Sequence, residues 1–206
     1  MLNKKVKIGF IGTGIIGLPM AKNLSKNHYD VSTYSRNVKY HTKIVKNGIK
    51  VIRNLKEFFC KIDILILAVS DTKDVKEILT GPSGLVKNTL KPSIVIDMST
   101  ICPIETIKIA NVLKKNNVSM IDAPVSGGEI GAINGSLSIM IGGEEITVKK
   151  VMPILKILGN KITYIGNSGS GQVAKACNQI IVAQTLNAVS EAFVIAEKFK
   201  VNKSNI

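Results

Sequence analysis

Two glycine-punctuated stretches hold residue types suited to chemistry. Gly12-Thr13-Gly14-Ile15-Ile16-Gly17 follows a short apolar run, Val6-Lys7-Ile8-Gly9-Phe10-Ile11. After a first strand, three glycines at this spacing have separate uses. Gly12 permits a tight turn, Gly14 lets the backbone approach a pyrophosphate, and Gly17 lets helix and strand pack closely. The helix N-terminus then faces the anion. The competing reading is an ordinary strand-to-helix turn. Further on, Gly169-Ser170-Gly171 opens a long helical pattern with Lys175 in its first turns. An amine among apolar neighbours loses solvation, which lowers its pKa toward proton exchange near neutral pH. The alternative is a lysine reaching out to solvent from a helix start. Asn178 and Gln179, three and four positions on, share its face.

Two more segments belong with these. Asp122-Ala123-Pro124-Val125-Ser126-Gly127-Gly128 follows a strand, so it sits at the carboxyl end, where open α/β sheets bind ligands. Pro124 stiffens the loop, Gly127 and Gly128 expose N–H groups to a carboxylate, and Ser126 adds a hydroxyl; a ligand-free β-turn is the alternative. The second strand should end beside an adenosine ribose, where a carboxylate selects NAD. This chain has Ser35-Arg36-Asn37 there, and Asp30 lies at the wrong end of the strand. A guanidinium beside a hydroxyl suits a 2′-phosphate, which favours NADP(H) over NAD(H). Arg36 stacked on adenine would permit either.

The elements that must position these groups alternate between strand and helix signals, the pattern of a parallel doubly wound α/β sheet. Expected strands are Lys5–Ile11, Val31–Tyr34, Lys50–Ile52, Ile64–Val69, Ile94–Met98, Ser119–Ile121, Leu137–Ile141 and Thr163–Ile165. Expected helices are Gly17–Asn27, Val38–Asn47, Leu55–Lys61, Thr72–Leu79, Pro103–Asn116 and Glu145–Leu158. Ser99 or Thr100 caps the helix that Pro103 enters, and Gly159 ends the helix before the last strand. The domain boundary falls in the small-residue linker Gly166–Gly171: residues 1–166 form the nucleotide-binding domain, 167–171 the link, and 172–206 an interdomain helix. Gln172–Lys200 reads as one helix, roughly 43 Å long at about 1.5 Å per residue. It is apolar around most of its circumference and so is expected to be buried, by a partner subunit or by chain beyond it.

The chain has 206 residues, 45% of them apolar and 4% aromatic, with no Trp, so the core is aliphatic. Its net charge of +14 invites a nucleic-acid reading. Apart from Arg36 and Arg53 the basic residues are scattered lysines, with no basic run and no aromatic interleaving, which argues against nucleic acid. Cys60, Cys102 and Cys177 lie in apolar sequence and are expected to be buried, reduced thiols of a cytoplasmic protein. No C-x-x-C pair occurs, and His28 and His41 read as solvated surface, so no metal is expected. Too few residues precede the first strand for a leader peptide, and the densest apolar run, Ile62–Val69, is too short to span a membrane.

Four blocks together carry a family resemblance: Gly9–Leu24 (GFIGTGIIGLPMAKNL), Asp97-Met98-Ser99-Thr100, Asp122–Gly128, and Gly169–Lys175 (GSGQVAK). They resemble the β-hydroxyacid dehydrogenase family over essentially the whole chain. Glu129 and the stretch Ala132-Ile133-Asn134-Gly135-Ser136-Leu137-Ser138 are most similar to its tartronate semialdehyde (2-hydroxy-3-oxopropionate) reductase branch. The resemblance implies a Rossmann-type domain followed by the first long helix of an all-α domain. It also implies hydride transfer between NADP(H) and a small β-hydroxyacid or semialdehyde, with Lys175 as the acid/base. It assigns Ser126 and Gly127 to the substrate carboxylate, and Val69, Ser70 and Thr100 to the cofactor, although these three read equally well as cap or core residues. The family often has Asn four positions after the lysine. Gln179 lengthens that amide and leaves open whether it or Asn178 meets substrate. Family members continue into a helical domain that closes the cleft, so a homo-oligomer through the last helix, or a truncated and weakly active chain, is expected beside full reductase activity. A non-catalytic basic module for nucleic acid is the remaining alternative.

Overall fold

The computed structural model describes residues 6–35 and 41–206. The strands are β1 Lys7–Ile11, β2 Asp30–Tyr34, β3 Lys50–Ile52, β4 Ile64–Leu67, β5 Ile94–Asp97, β6 Ser119–Asp122, β7 Val125–Ser126, β8 Leu137–Gly143 and β9 Gly159–Gly166. The helices are α1 Gly17–Lys26, α2 His41–Lys46, α3 Leu55–Cys60, α4 Thr72–Thr80, α5 Pro103–Lys115, α6 Gly128–Asn134, α7 Glu145–Leu158 and α8 Ser170–Lys198. The sheet runs β3-β2-β1-β4-β5-β6-β8-β7, with β9 on the other side of β8. It is parallel from β3 to β6; β8 then runs antiparallel to β6 and β7, and β9 parallel to β8. This is the doubly wound Rossmann-type order, with an added antiparallel flank.

Burial on both faces explains the uninterrupted apolar strands. In β4, Ile64 and Ile66 join the core beneath α1 and α7, while Leu65 and Leu67 join the core beneath α3, α4 and α5. The alternation follows from the two-residue period of a strand. Helix starts are marked locally. The Asn54 side chain accepts the Glu57 N–H at 2.9 Å, and Asp71 accepts that of Asp74 at 2.9 Å.

Several expectations need correction. The α5 cap is Cys102, with Pro103 at the first position, and neither Ser99 nor Thr100 caps it; the Ser99 hydroxyl instead accepts the Val69 N–H at 3.0 Å. β9 is longer than Thr163–Ile165 because Gly159 both ends α7 and begins the strand in extended conformation. β7 and α6, within and after the Pro124–Gly128 loop, were not anticipated. Cys60, Cys102 and Cys177 are exposed: each follows apolar neighbours in sequence but lies on an outward position of its element. His28 is exposed, whereas His41 is half-buried, with Nε2 3.0 Å from the Ser35 carbonyl.

The last helix, expected to be covered by a partner subunit or by chain beyond it, is largely uncovered within the single chain. Its start packs on β6, β8, β9 and α5. Within α8 only Gly171, Gln172, Lys175 and Ala196 are buried, and Ile180, Ile181, Leu186, Val194 and Ile195 are all exposed. By length and composition, Ser170–Lys198 is also the one helix among the described residues able to cross a membrane.

Candidate active site

The carboxyl ends of β1, β4, β5 and β6 lie side by side, and their loops form the site. Gly12 adopts φ 99°, a conformation that favours glycine, and a β-carbon there would strike the Ala68 carbonyl. A β-carbon at Gly17 would strike the Gly12 carbonyl, while at Gly14 nothing lies within 4 Å. The first and third glycines are therefore required for packing, and the second faces open space. α1 has no acidic residue in its first turn and no side-chain cap. The Leu18 N–H donates to the Gly14 carbonyl at 3.1 Å and Pro19 has none, so the Gly17 N–H and those of the loop before it are the donors offered to an anion. In front of them a cleft of about 540 Å³ is lined by Gly12, Thr13, Gly14, Ser35, Val69 and Ser70. These residues fit a dinucleotide. Arg36 and Asn37 lie outside the described residues. Asp30, at the far end of β2, pairs with Lys50 at 2.9 Å.

A second cleft of about 550 Å³ shares the Ala68-Val69-Ser70 loop with the first. It brings together Ile16, Thr100, Ser126, Gly127, Gly128, Lys175 and Gln179. Lys175 is only 7% exposed, and burial lowers its pKa below the ordinary lysine value. The two candidate amides separate. Gln179 lines the cleft, whereas the Asn178 carbonyl oxygen accepts from the Ser126 hydroxyl at 3.4 Å. Ile15 points elsewhere: it is 69% exposed and borders a cavity of about 640 Å³ between α1, α2 and α6, alongside Lys22, Lys26 and Lys43. Gly17 is buried under the loop.

Behind the second cleft lies a buried polar cluster that sequence reasoning did not single out. Asp122, at the end of β6, is fully buried; one carboxylate oxygen accepts the Gly169 N–H at 2.7 Å and the other the Gln172 N–H at 3.0 Å. The Gln172 side chain, 1% exposed, accepts from Ile101 N at 3.1 Å and donates to the Ser99 carbonyl at 2.8 Å. Asp97, the partner of Asp122 in the strand register, accepts the Ser99 N–H at 3.0 Å. Its second oxygen has no hydrogen-bond partner among the described residues. Burial pushes the Asp97 carboxyl up to about 7, against the Ser99 hydrogen bonds. Burial also raises Asp122, opposed by the N–H groups it accepts. The available signals were a carboxylate opening the Asp122 block and a glutamine one turn before Lys175. Among the described residues no group of His, Cys, Asp and Glu could hold a metal ion.

Sheet order, glycine loop and joined clefts define a dinucleotide-binding domain of Rossmann type. Residues 7–166 match the NAD-binding domain of 6-phosphogluconate dehydrogenase, and residues 169–206 match the NAD-binding segment of NADP-dependent 3-hydroxyisobutyrate dehydrogenase. The chain is 41% identical over 193 residues to a 2-hydroxy-3-oxopropionate reductase of Escherichia coli, covering 94% of this chain and 66% of the relative. Against the mitochondrial 3-hydroxyisobutyrate dehydrogenase of Mus musculus it is 34% identical, covering 91% of this chain and 56% of the relative. The solved 3-hydroxyisobutyrate dehydrogenase of Mycobacterium tuberculosis with L-serine superposes at a TM-score of 0.88 with 31% identity, over 96% of this chain and 67% of that one. The chain belongs to the β-hydroxyacid dehydrogenase family and carries its NAD(P)-binding domain. It spans 66% of the length of the E. coli relative.

Proposed function

We propose that this protein reduces a small semialdehyde to a β-hydroxyacid with NADPH, tartronate semialdehyde to D-glycerate being the best-supported pair. One observation carries the reading: the buried Lys175 amine and the Ser126–Gly128 turn line one cleft, which shares a wall with the glycine-loop cleft. The substrate identity is supported by the E. coli reductase at 41% identity.

Gly12–Gly17 would hold the pyrophosphate at the start of α1, Ser35, Arg36 and Asn37 the adenosine ribose and its 2′-phosphate, and Val69, Ser70 and Thr100 the nicotinamide end. When bound, the nicotinamide supplies the hydride. Gly127 and Gly128 offer backbone N–H groups to the substrate carboxylate, and the Ser126 hydroxyl turns its one proton from Asn178 to that carboxylate when substrate binds. Lys175 gives its proton to the carbonyl oxygen during reduction and takes it back in the reverse direction. Burial lowers its pKa below the ordinary lysine value, which eases both roles. Gln179 is the amide that meets substrate, and Asn178 orients Ser126.

The division into a cofactor domain (1–166), a link (167–171) and an interdomain segment (172–206) is proposed with the helix itself running from Ser170 to Lys198. The exposed apolar length of α8 supports a homo-oligomer through that helix, and three free, exposed thiols support a reducing cytoplasm. A second reading, cofactor binding with weak turnover, is favoured by the exposure of α8 from Gln179 onward, which leaves that side of the cleft open. Oxidation of NADPH by tartronate semialdehyde decides between them. Turnover that disappears in Lys175→Ala while NADPH binding persists is the expected result; loss of both would contradict the assigned role.

A further inference from the structure

The polar cluster behind Lys175 solves a local problem of α8. A helix start leaves N–H groups without partners, normally taken up by a side chain at the cap position. Here the cap residue is Gly169, which has no side chain, and the first turn contains no acidic residue. The missing acceptors come from a strand 47 and 50 residues earlier, through the two oxygens of Asp122. Gln172 adds a second tie. Both ends of its carboxamide are used, on the Ser99 carbonyl and the Ile101 N–H. The Ser99 hydroxyl in turn holds the Val69 N–H, so the tie reaches the loop shared by both clefts. Lys175 lies three residues after Gln172, on the same helix face.

We propose that Asp122 and Gln172 are positioning residues for the Lys175 amine, the carboxylate fixing the start of α8 against the sheet and the carboxamide fixing its rotation and distance relative to the Ser99–Ile101 loop. The inference rests on the proton-transfer role proposed for Lys175. A helix whose first turn is held only by apolar contacts could slide or roll by a fraction of an ångström. One held by four directed hydrogen bonds through two fully buried side chains cannot do so without leaving polar groups unsatisfied. Displacement of a reacting group by about 1 Å costs as much as 10²-fold in rate.

The test uses Gln172→Met, which keeps length and removes both side-chain hydrogen bonds, and Asp122→Asn, which removes one of the two acceptors. The lysines are dimethylated with ¹³C-formaldehyde, and the Lys175 signal, identified by its absence in Lys175→Arg, is followed against pH by NMR. The expected result is a Lys175 titration displaced toward the other lysines in both variants, with circular dichroism and NADPH affinity retained and kcat lower by about 10- to 100-fold. An unchanged Lys175 titration in a folded variant overturns the proposal. If Asp122→Asn does not fold, Gln172→Met decides alone. Failure of the catalytic reading is distinguishable, because Lys175→Ala would then turn over normally whatever the titration shows.

Discussion

The two ends of α8 belong to one continuous helix and have opposite environments. In its first turns the buried side chains are polar, Gln172 at 1% and Lys175 at 7% exposure, while beyond Gln179 large apolar side chains are exposed along with the polar ones, Ile181 at 65% and Leu186 at 64%. The usual ordering by hydropathy is thus inverted within one element. Local composition does not decide burial here. What decides it is whether the sheet presents matching partners, and Asp122, Ser99 and Ile101 do so only for the first turns. Polar groups held this way mark the end of the helix that lines the cleft.

The comparison predicts effects that shrink from one end to the other. Lys175→Met keeps the bulk of the side chain but removes the proton, and turnover in the NADPH assay falls by about 10²- to 10⁴-fold with cofactor affinity unchanged. An equal loss from Ile181→Met would break the distinction. Asp122→Ala leaves two buried N–H groups without acceptors, at about 1–3 kcal/mol each, so the urea midpoint drops sharply; a midpoint within error of the parent would show that the helix start needs no partner.

Asp97 sharpens the comparison through pH. Its folded pKa, about 7, lies above its ordinary 3.8. The stability it contributes is therefore complete below the lower value and is lost as pH rises through the upper one, falling by about 1.4 kcal/mol for each pH unit between the two. Asp97→Asn removes this dependence, so the variant gains on the parent between pH 4 and 7 in thermal unfolding. Parallel curves for the two proteins would count against a protonated Asp97. The smallest effect is expected at the far end of α8. Ile181→Lys with Leu186→Lys changes the unfolding free energy of the monomer by no more than about 0.5 kcal/mol per site, while sedimentation shows loss of the oligomer proposed through α8; an unchanged oligomeric state would count against that interface.

Spacing made the glycine loop legible, because Gly12, Gly14 and Gly17 act within one turn, and continuous apolar runs did the same for β1, β4 and β5. Lys175 was legible from its block and from its resemblance to a known family. The capping of α8 was not, since Asp122 and Gln172 act on groups 47 to 73 residues away in sequence. Nor was α6, whose first residue is Gly128 and which reads as a turn. The cysteines misled for a related reason: apolar neighbours along the chain describe an element's composition, and its orientation against the sheet decides which residues face outward.

The Ala68–Ser70 loop, one wall common to two chambers, has a consequence for how two ligands bind. Under the proposed function, the nucleotide in the glycine-loop chamber would press on the same partition that the acid beside Lys175 touches, and the second arrival would meet a wall already in contact from behind. Part of the ordering cost has been met in advance. Coupling through a common wall is reciprocal, so in the proposed reductase each ligand would tighten the hold on the other whichever arrives first.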